Sequence, residues 1–397
     1  MTERAKFVLE WHRRWKSQEG RVNVAELCRM FGISTPCAYR WINRFREGGF
    51  KVEALAERSR RPRHSPSAIS EHMQDLLVAA RKQHPTWGPR KLRAWLVDRY
   101  PQLQFPAPST VGDILTRRGL TAPRKRRPRR VPPLSQPFAE ASAPNAVWCI
   151  DFKGHFRTGD GEVCYPLTIT DAFSRYVLRC EVVESTDGPS VQAILDSAFR
   201  EFGLPAAIRS DNGPPFGAAA AGGLTQLVVW LLRLGIRVER IDPGKPQQNG
   251  RHERMHRTLK ADTASPPAGS RRAQQRRFDR WRQEFNYERP HEALGDKTPA
   301  SAYHASGRRY PRPLERFAVG FGGRELRVER DGTVRIDRHR VFISTALYGE
   351  YVELAPFDAR RWHVRFGPVL LGTLDADDPA RGLSLAPRRS WLGDPNH

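Results

Sequence analysis

Cysteine is scarce and poorly spaced for metal binding: Cys28, Cys37, Cys149, Cys164 and Cys180 are the only five in 397 residues. They form no CxxC pair and no Cys/His cluster with zinc spacing, so neither a zinc module nor a disulfide framework is expected. Buried, reduced thiols are the simpler reading. Long apolar runs are missing as well. The most apolar segment, Leu224 to Leu234, is far short of the roughly 20 residues of a spanning helix. The opening MTERAKFVLEWHRR lacks the uncharged core of a secretion signal, and no lipidation site or amphipathic anchor stands out. A soluble, cytoplasmic protein is therefore expected. Acid, finally, is in deficit: 43 Asp plus Glu face 67 Lys plus Arg, a formal charge of +24. An excess of this size points to a polyanionic partner, because each neutralised phosphate releases condensed counterions.

What is present is enough for several cores. Hydrophobic residues make up 39% of the chain, and about 150 residues per domain predicts two or three globular units. The segment VNVAELCRMFG has helical spacing, Gly32 breaks it, and ISTPCAYRWINRFREGG resumes it. Ser34 is placed to cap the second helix, Pro36 suits its first turn, and Gly48-Gly49 end it. Its exposed candidates Arg40, Asn43, Arg44 and Arg46 suit a helix lying in a DNA major groove, with Tyr39, Trp41, Ile42 and Phe45 left to pack. An ordinary helical hairpin with a solvated basic face would look much the same. A second block holds three more helices: Ser70 to Gln83, one beginning after Pro89 that carries Arg90 and Lys91, and one capped by Ser109. ERSRRPRHSPSA separates the two blocks, and PRKRRPRRVPP follows the second. Both are Arg/Pro-rich tethers, and Arg124, Lys125, Arg126 and Arg127 in the latter are candidate phosphate contacts.

From Ala146 the texture changes to strands: VWCIDFKGHF, then EVCYPLTITDAFSRYVLRCEVVES with a turn near Ser174. A helix (PSVQAILDSAFREFG), a strand (AAIRSD), a helix from about Gly223 to Leu234, a strand (IRVERI) and a helix from about Gln247 to Asp262 follow. That order matches a ribonuclease-H-like α/β layout. Asp151 lies in the first strand, Asp211 ends a later one before Asn212-Gly213, and Glu253 sits one turn after Asn249 on the last helix. Three carboxylates suit two divalent ions about 4 Å apart, which can activate one oxygen and stabilise another at a phosphodiester. Each acid also has a structural alternative: an edge-strand acid, a turn Asp, and a helix Glu paired to Arg257. Asp171 is read as a turn cap and Glu239 as a strand acid between arginines. His252 and His256 are not expected to bind metal, since carboxylates already suit magnesium. Asn249, Arg254, Arg257 and Lys260 are candidate DNA contacts on the same helix.

WCIDFKG, SDNGPPF and PGKPQQNGRHERMHRTLK, in this order, resemble the DDE signature of integrase-core transposases, insertion-sequence relatives of retroviral integrases. The resemblance covers about Asn145 to Tyr303 and includes FNYERPHEALGDKTPASAY. It implies that Asp151, Asp211 and Glu253 are catalytic and hold two Mg2+ ions, with Mn2+ able to substitute. It also implies a bacterial, nucleoid-associated protein acting on double-stranded DNA, transposon ends and target, as a dimer or larger. The interval from Asp211 to Glu253 is longer than in retroviral members, through a loop insertion GAAAAGGL, and their zinc module is missing. A catalytically inactive DNA-binding regulator and a metal-dependent nuclease without strand transfer are the alternatives.

After Tyr303, alternating segments ELRVERDGTVRID, RVFIST, EYVELAPF, RWHVRFG and VLLGTLD predict a small all-β domain, with a hairpin at Asp331-Gly332. The expected organisation is a helix-turn-helix module at 1–58, a second such or winged-helix-like module at 69–122, and a basic linker at 123–142. A ribonuclease-H-like core at 143–303 and a small β-barrel at 316–385 complete it.

Overall fold

The structure is a computed structural model that describes residues 2–17, 20–57, 68–121, 141–218, 221–240, 250–311, 314, 316–318 and 323–386; the side chains of Ala221, Arg251 and Glu253 are not described. It divides into two compact units, residues 1–68 and 69–397. The first unit holds α1 (Glu3–Ser17), α2 (Val24–Phe31) and α3 (Thr35–Glu47) around Phe7, Trp11, Leu27, Ile42 and Phe45. Gly32 ends α2 in the left-handed conformation at φ 61, where a side chain would be strained. Asn23 starts the same helix, accepting a hydrogen bond from the Glu26 amide. Helix α1 was not anticipated, although Phe7, Trp11 and Trp15 recur every four residues along it.

The second unit begins with α4 (Glu71–Gln83), α5 (Pro89–Arg99) and α6 (Pro108–Arg117), closed over Leu77, Trp87, Leu92, Leu96 and Val111. Ser70 caps α4, accepting a hydrogen bond from the Met73 amide. Helix α6 starts one residue ahead of the expected Ser109 cap, because Pro108 takes the first helical position and Ala107 becomes the cap residue. These helices are not tethered at a distance from the rest: His84 bonds Glu284 at 2.9 Å, and Arg90 reaches Glu292 at 2.6 Å and Asp296 at 3.1 Å.

The central sheet contains β1 (Val147–Phe152), β2 (Phe156–Arg157), β3 (Val163–Asp171), β4 (Val177–Val183), β5 (Ala207–Ser210) and β6 (Arg237–Arg240). Strand β3 pairs antiparallel with β1, β2 and β4, while β1, β5 and β6 run parallel. Alternation along β1 sends Trp148 and Ile150 to one face, where they join Val191, Leu195 and Phe199 of α7 (Gly188–Phe202) and Leu227 and Val228 of α8 (Gln226–Arg233). Cys149 and Asp151 fall on the other face, under α9 (Gly250–Thr263) and α10 (Arg271–Tyr287). Helix α10, also unanticipated, covers edge strand β4. Gln275 bonds the Cys180 carbonyl and the Val182 amide, and Asn286 bonds both backbone groups of Val177. Two side-chain amides three turns apart thus occupy positions a further strand would take.

Beyond α11 (Pro299–Ala302) comes an antiparallel sheet ordered β13-β12-β11-β10-β7. Its strands are β7 (Arg324–Arg327), β10 (Tyr351–Pro356), β11 (Arg361–Phe366), β12 (Val369–Asp375) and β13 (Ser384–Leu385), with β8 (Thr333–Ile336) and β9 (His339–Phe342) forming a separate hairpin. The all-β expectation holds, but Asp331-Gly332 only turns the chain from β7 into β8. The paired hairpin closes directly after β8, at Asp337-Arg338, where Asp337 adopts φ 53. Val334, Val352, Phe366 and Leu371 extend the core that contains Trp148.

Helix α9 is fixed to the sheet by a polar clamp. Thr168, opposite Asp151 in the ladder, is fully buried, and its hydroxyl meets Nε2 of both His252 and His256 at 2.7 Å and the Asp151 carbonyl at 3.2 Å. Thr170 Oγ1 meets His252 Nδ1 at 3.1 Å. Burial holds His252 at about 3 and His256 at about 2, so both imidazoles are neutral in the fold. A histidine whose folded pKa lies below its ordinary 6.5 contributes stability that is complete above pH 6.5 and lost as the pH falls. Metal-free protein should therefore lose about 1.4 kcal/mol per pH unit for each imidazole between pH 6 and 4, measured by urea unfolding. Thr168→Val, which leaves imidazole N–H groups unbonded, should cost about 1–3 kcal/mol at pH 7.5. A flat stability profile from pH 7 to 4 would show that the clamp does not hold neutral imidazoles.

Candidate active site

Strand register sets the two aspartates at corresponding places on neighbouring strands. In the parallel pair, Val147 faces Ala207, Trp148 faces Ile208 and Cys149 faces Arg209, a constant offset of sixty. Asp151 and Asp211 are separated by the same sixty positions (211 minus 151). Both thus stand two residues past the last recorded pair, at the carboxyl ends of adjacent parallel strands about 4.8 Å apart. Open α/β sheets bind their ligands at this edge. Asp211 is half-buried and turns the chain: its Oδ1 accepts from the Gly213 amide at 3.3 Å. Burial pushes its carboxyl above the ordinary range, more than that one amide restores.

Asp151 opens onto a groove of about 760 Å³ with Lys153, His256, Arg257 and Lys260 on its walls. Glu253 precedes Arg257 and Lys260 on α9 by four and seven residues, the spacing of one helix flank. Its side chain lies outside the described residues, as does Asn249 with its whole surroundings. On the opposite flank of α9 a cavity of about 290 Å³ gathers Lys91, Arg175, Arg209, Arg254 and Arg289. Burial pulls the Lys91 amine down to about 8 there, with the neighbouring Arg289 charge acting the same way.

Proton bookkeeping within the clamp bears on what Asp151 can hold. A threonine hydroxyl carries one hydrogen and two lone pairs. If Thr168 donates to the Asp151 carbonyl, both imidazoles donate their Nε2–H to it, and every contact of the clamp is satisfied. His252 Nδ1 then accepts from Thr170. His256 Nδ1 keeps a lone pair directed into the groove, with Asp151 Oδ2 3.7 Å away. A nitrogen acceptor and a carboxylate oxygen facing one another suit a cation between them. This oxygen and nitrogen pair fits a divalent ion. One ligand atom each from Asp151, His252 and His256 lies within 4.8 Å of the others, but both His252 nitrogens are occupied by threonines. The signal for the clamp was in the sequence, as two histidines four residues apart on one helix face, HERMH.

The acids read as structural are so placed. Asp171 accepts from the Asn145 amide at 2.7 Å and from the amide and hydroxyl of Ser174 at 2.7 and 2.6 Å, and Glu239 pairs with Arg209 at 2.8 Å. Among the expected DNA contacts, Arg40, Asn43 and Arg46 are exposed on α3, whereas Arg44 is half-buried and donates to the Ala56 carbonyl. Arg90 is taken by Glu292 and Asp296, and Lys91 by the cavity, both consequences of the docking of α5. Arg254, Arg257 and Lys260 are exposed on α9. Arg124, Lys125, Arg126 and Arg127 lie outside the described residues. No helix of the described residues is long and apolar enough to cross a membrane.

Comparison with known proteins places these features. Two models described as Integrase core domain match residues 141–246 and 234–299; a Homeodomain-like domain model matches 37–115 and a Helix-turn-helix domain model 3–63. An uncharacterized 31.7 kDa protein of insertion element IS407 from Burkholderia multivorans is 26% identical over 283 residues, which is 70% of this chain and 91% of the relative. An uncharacterized 39.2 kDa protein of insertion element IS476 from Xanthomonas euvesicatoria is 27% identical over 242 residues, 60% of this chain and 67% of the relative. Among solved structures, the HTLV-2 integrase catalytic core domain in complex with magnesium is 16% identical over 42% of this chain and 100% of its own, with a TM-score of 0.31. Integrase-core matches span both aspartates and α9, and relatives from insertion elements align along most of the chain, so this chain is similar to insertion-element proteins and resembles an integrase core over residues 141–299.

Proposed function

We propose that this chain binds the ends of its own insertion element, cleaves there, and joins the freed 3'-hydroxyls to target DNA. The observation that carries the reading is the shared offset of sixty, which puts Asp151 and Asp211 at matching places on neighbouring parallel strands, with Asp151 opening onto a basic groove. Asp151, Asp211 and Glu253 would hold two divalent ions, Mg2+ by preference with Mn2+ able to substitute, and these supply positive charge to the attacking and leaving oxygens of the phosphodiester. The chain's own contribution is positioning. Lys153, Arg257 and Lys260 line the groove and would neutralise flanking phosphates, and exposed Arg254 would extend that track over the crest of α9. Intact carboxylates at all three positions favour an enzyme over an inactive regulator. Joining two element ends to one target needs at least two such sites, so a dimer or larger assembly on double-stranded DNA follows from the same reading.

Asp151→Asn, Asp211→Asn and Glu253→Gln should each lower cleavage of end DNA by on the order of a thousandfold or more while leaving end binding within a few-fold, as followed by gel shift and product analysis with Mg2+. Near-normal cleavage by any one variant would remove that acid from the site. Paired-end joining assays separate a transposase from a nuclease that uses water alone.

Sequence reading is assigned to the first unit, where Arg40, Asn43 and Arg46 are exposed on α3. A chain lacking residues 1–68 should lose its specific footprint at element ends but keep salt-dependent, sequence-independent binding, because the α9 cations remain. An unchanged footprint from the truncated chain would move the reading function to the second unit.

A further inference from the structure

We propose that His256 is a further ligand of the divalent ion at Asp151, binding through Nδ1. The proposal rests on the metal site of the preceding section and adds a nitrogen to its carboxylate set. Three observations converge on it. His256 lines the same groove as Asp151, and its Nδ1 lies 3.7 Å from Asp151 Oδ2. That separation is too long for a hydrogen bond, so no N–H···O contact between the two competes for the lone pair. Its other nitrogen is committed, since Nε2 lies 2.7 Å from Thr168 Oγ1, which in turn reaches the Asp151 carbonyl at 3.2 Å.

This is the usual arrangement behind a metal-binding imidazole: the far ring nitrogen gives its hydrogen to a fixed acceptor, which sets the tautomer and aims the near nitrogen at the ion. Here the acceptor is anchored to the backbone of the aspartate that would share the ion, so ring and carboxylate are oriented by one hydroxyl. His252 is excluded from the same role. Thr168 occupies its Nε2 and Thr170 its Nδ1. An imidazole among oxygen ligands also shifts preference from magnesium towards manganese and other transition ions.

The test uses the full chain loaded with Mn2+ and examined by pulsed electron paramagnetic resonance for the nitrogen coupling of a bound imidazole. Wild-type protein should show the coupling. His256→Asn should abolish it and weaken Mn2+ binding on the order of tenfold or more, whereas His252→Asn, if folded by circular dichroism, should retain it. Bound Mn2+ without imidazole coupling in the wild type, or coupling that survives His256→Asn, overturns the assignment while leaving the carboxylate site intact. Failure of the wild type to bind Mn2+, with no effect of Asp151→Asn, overturns the metal site itself and this inference with it.

Discussion

The parallel pairing of β1 with β5 is the constraint on which the site depends. A slip of one residue would move Asp211 to the other face of the sheet relative to Asp151, because side chains alternate along a strand. Register is held from the apolar side. Trp148 and Ile208 face one another in the ladder, both fully buried, and Trp148 packs against Phe199 with ring centroids 5.8 Å apart. The indole N–H is further tied to Asn145 at 3.0 Å, whose side-chain oxygen also accepts from the Tyr303 hydroxyl at 3.0 Å. A residue before β1 and one after α11 thus pin the strand that carries the first acid. The core that fixes the fold and the geometry that fixes the chemistry are the two faces of one strand.

The sheet and the acids were legible because their signals are local and strongly patterned. VWCIDF alternates between a packed face and a site face, and D-N-G announces a turn wherever it falls. The elements that escaped notice have signals diluted by charge. Helix α10 reads RRAQQRRFDRWRQEFNY, in which Phe278, Trp281 and Phe285 are core and the intervening arginines hide the period. Its amides, which close the β4 edge, have no sequence signature at all, since their partners are backbone groups about a hundred residues away. The docking of α4–α6 was illegible for the same reason. Arg90 looked like a phosphate contact because its partners, Glu292 and Asp296, are two hundred residues distant in the chain.

Net charge is accordingly a poor guide to which cations face DNA. Arg209, Arg233, Arg179 and Arg271 are held by Glu239, Glu350, Glu201 and Glu184, at 2.8, 2.5, 2.6 and 2.6 Å. The side chains of Arg209 and Glu239 are only 11% and 5% exposed, and burying such a pair is costly unless both partners stay together, so Arg209 is a fixed part of the fold. Among the candidate contacts, Arg40 and Arg46 on α3 and Arg257 and Lys260 on α9 are exposed. Steering by the whole field of the chain and contact by these few residues are separate effects, and only the second can place a phosphodiester at an acid.

Helix α9 shows how tightly these demands are coupled. Met255, Leu259 and Thr263 pack it down, while His252 and His256 meet a sheet face made polar by Thr168 and Thr170. Apolar residues at 252 and 256 would bury the same area, yet they would strand the Thr170 hydroxyl, leave the Thr168 oxygen without its imidazole donors and free the helix to rotate on a smooth surface. Directional bonds set the rotation of α9, and with it the flank of Arg257 and Lys260 that borders the groove. The polar clamp therefore substitutes orientation for some of the stability an apolar interface would provide, which is the exchange a site requiring ångström placement of its ligands demands.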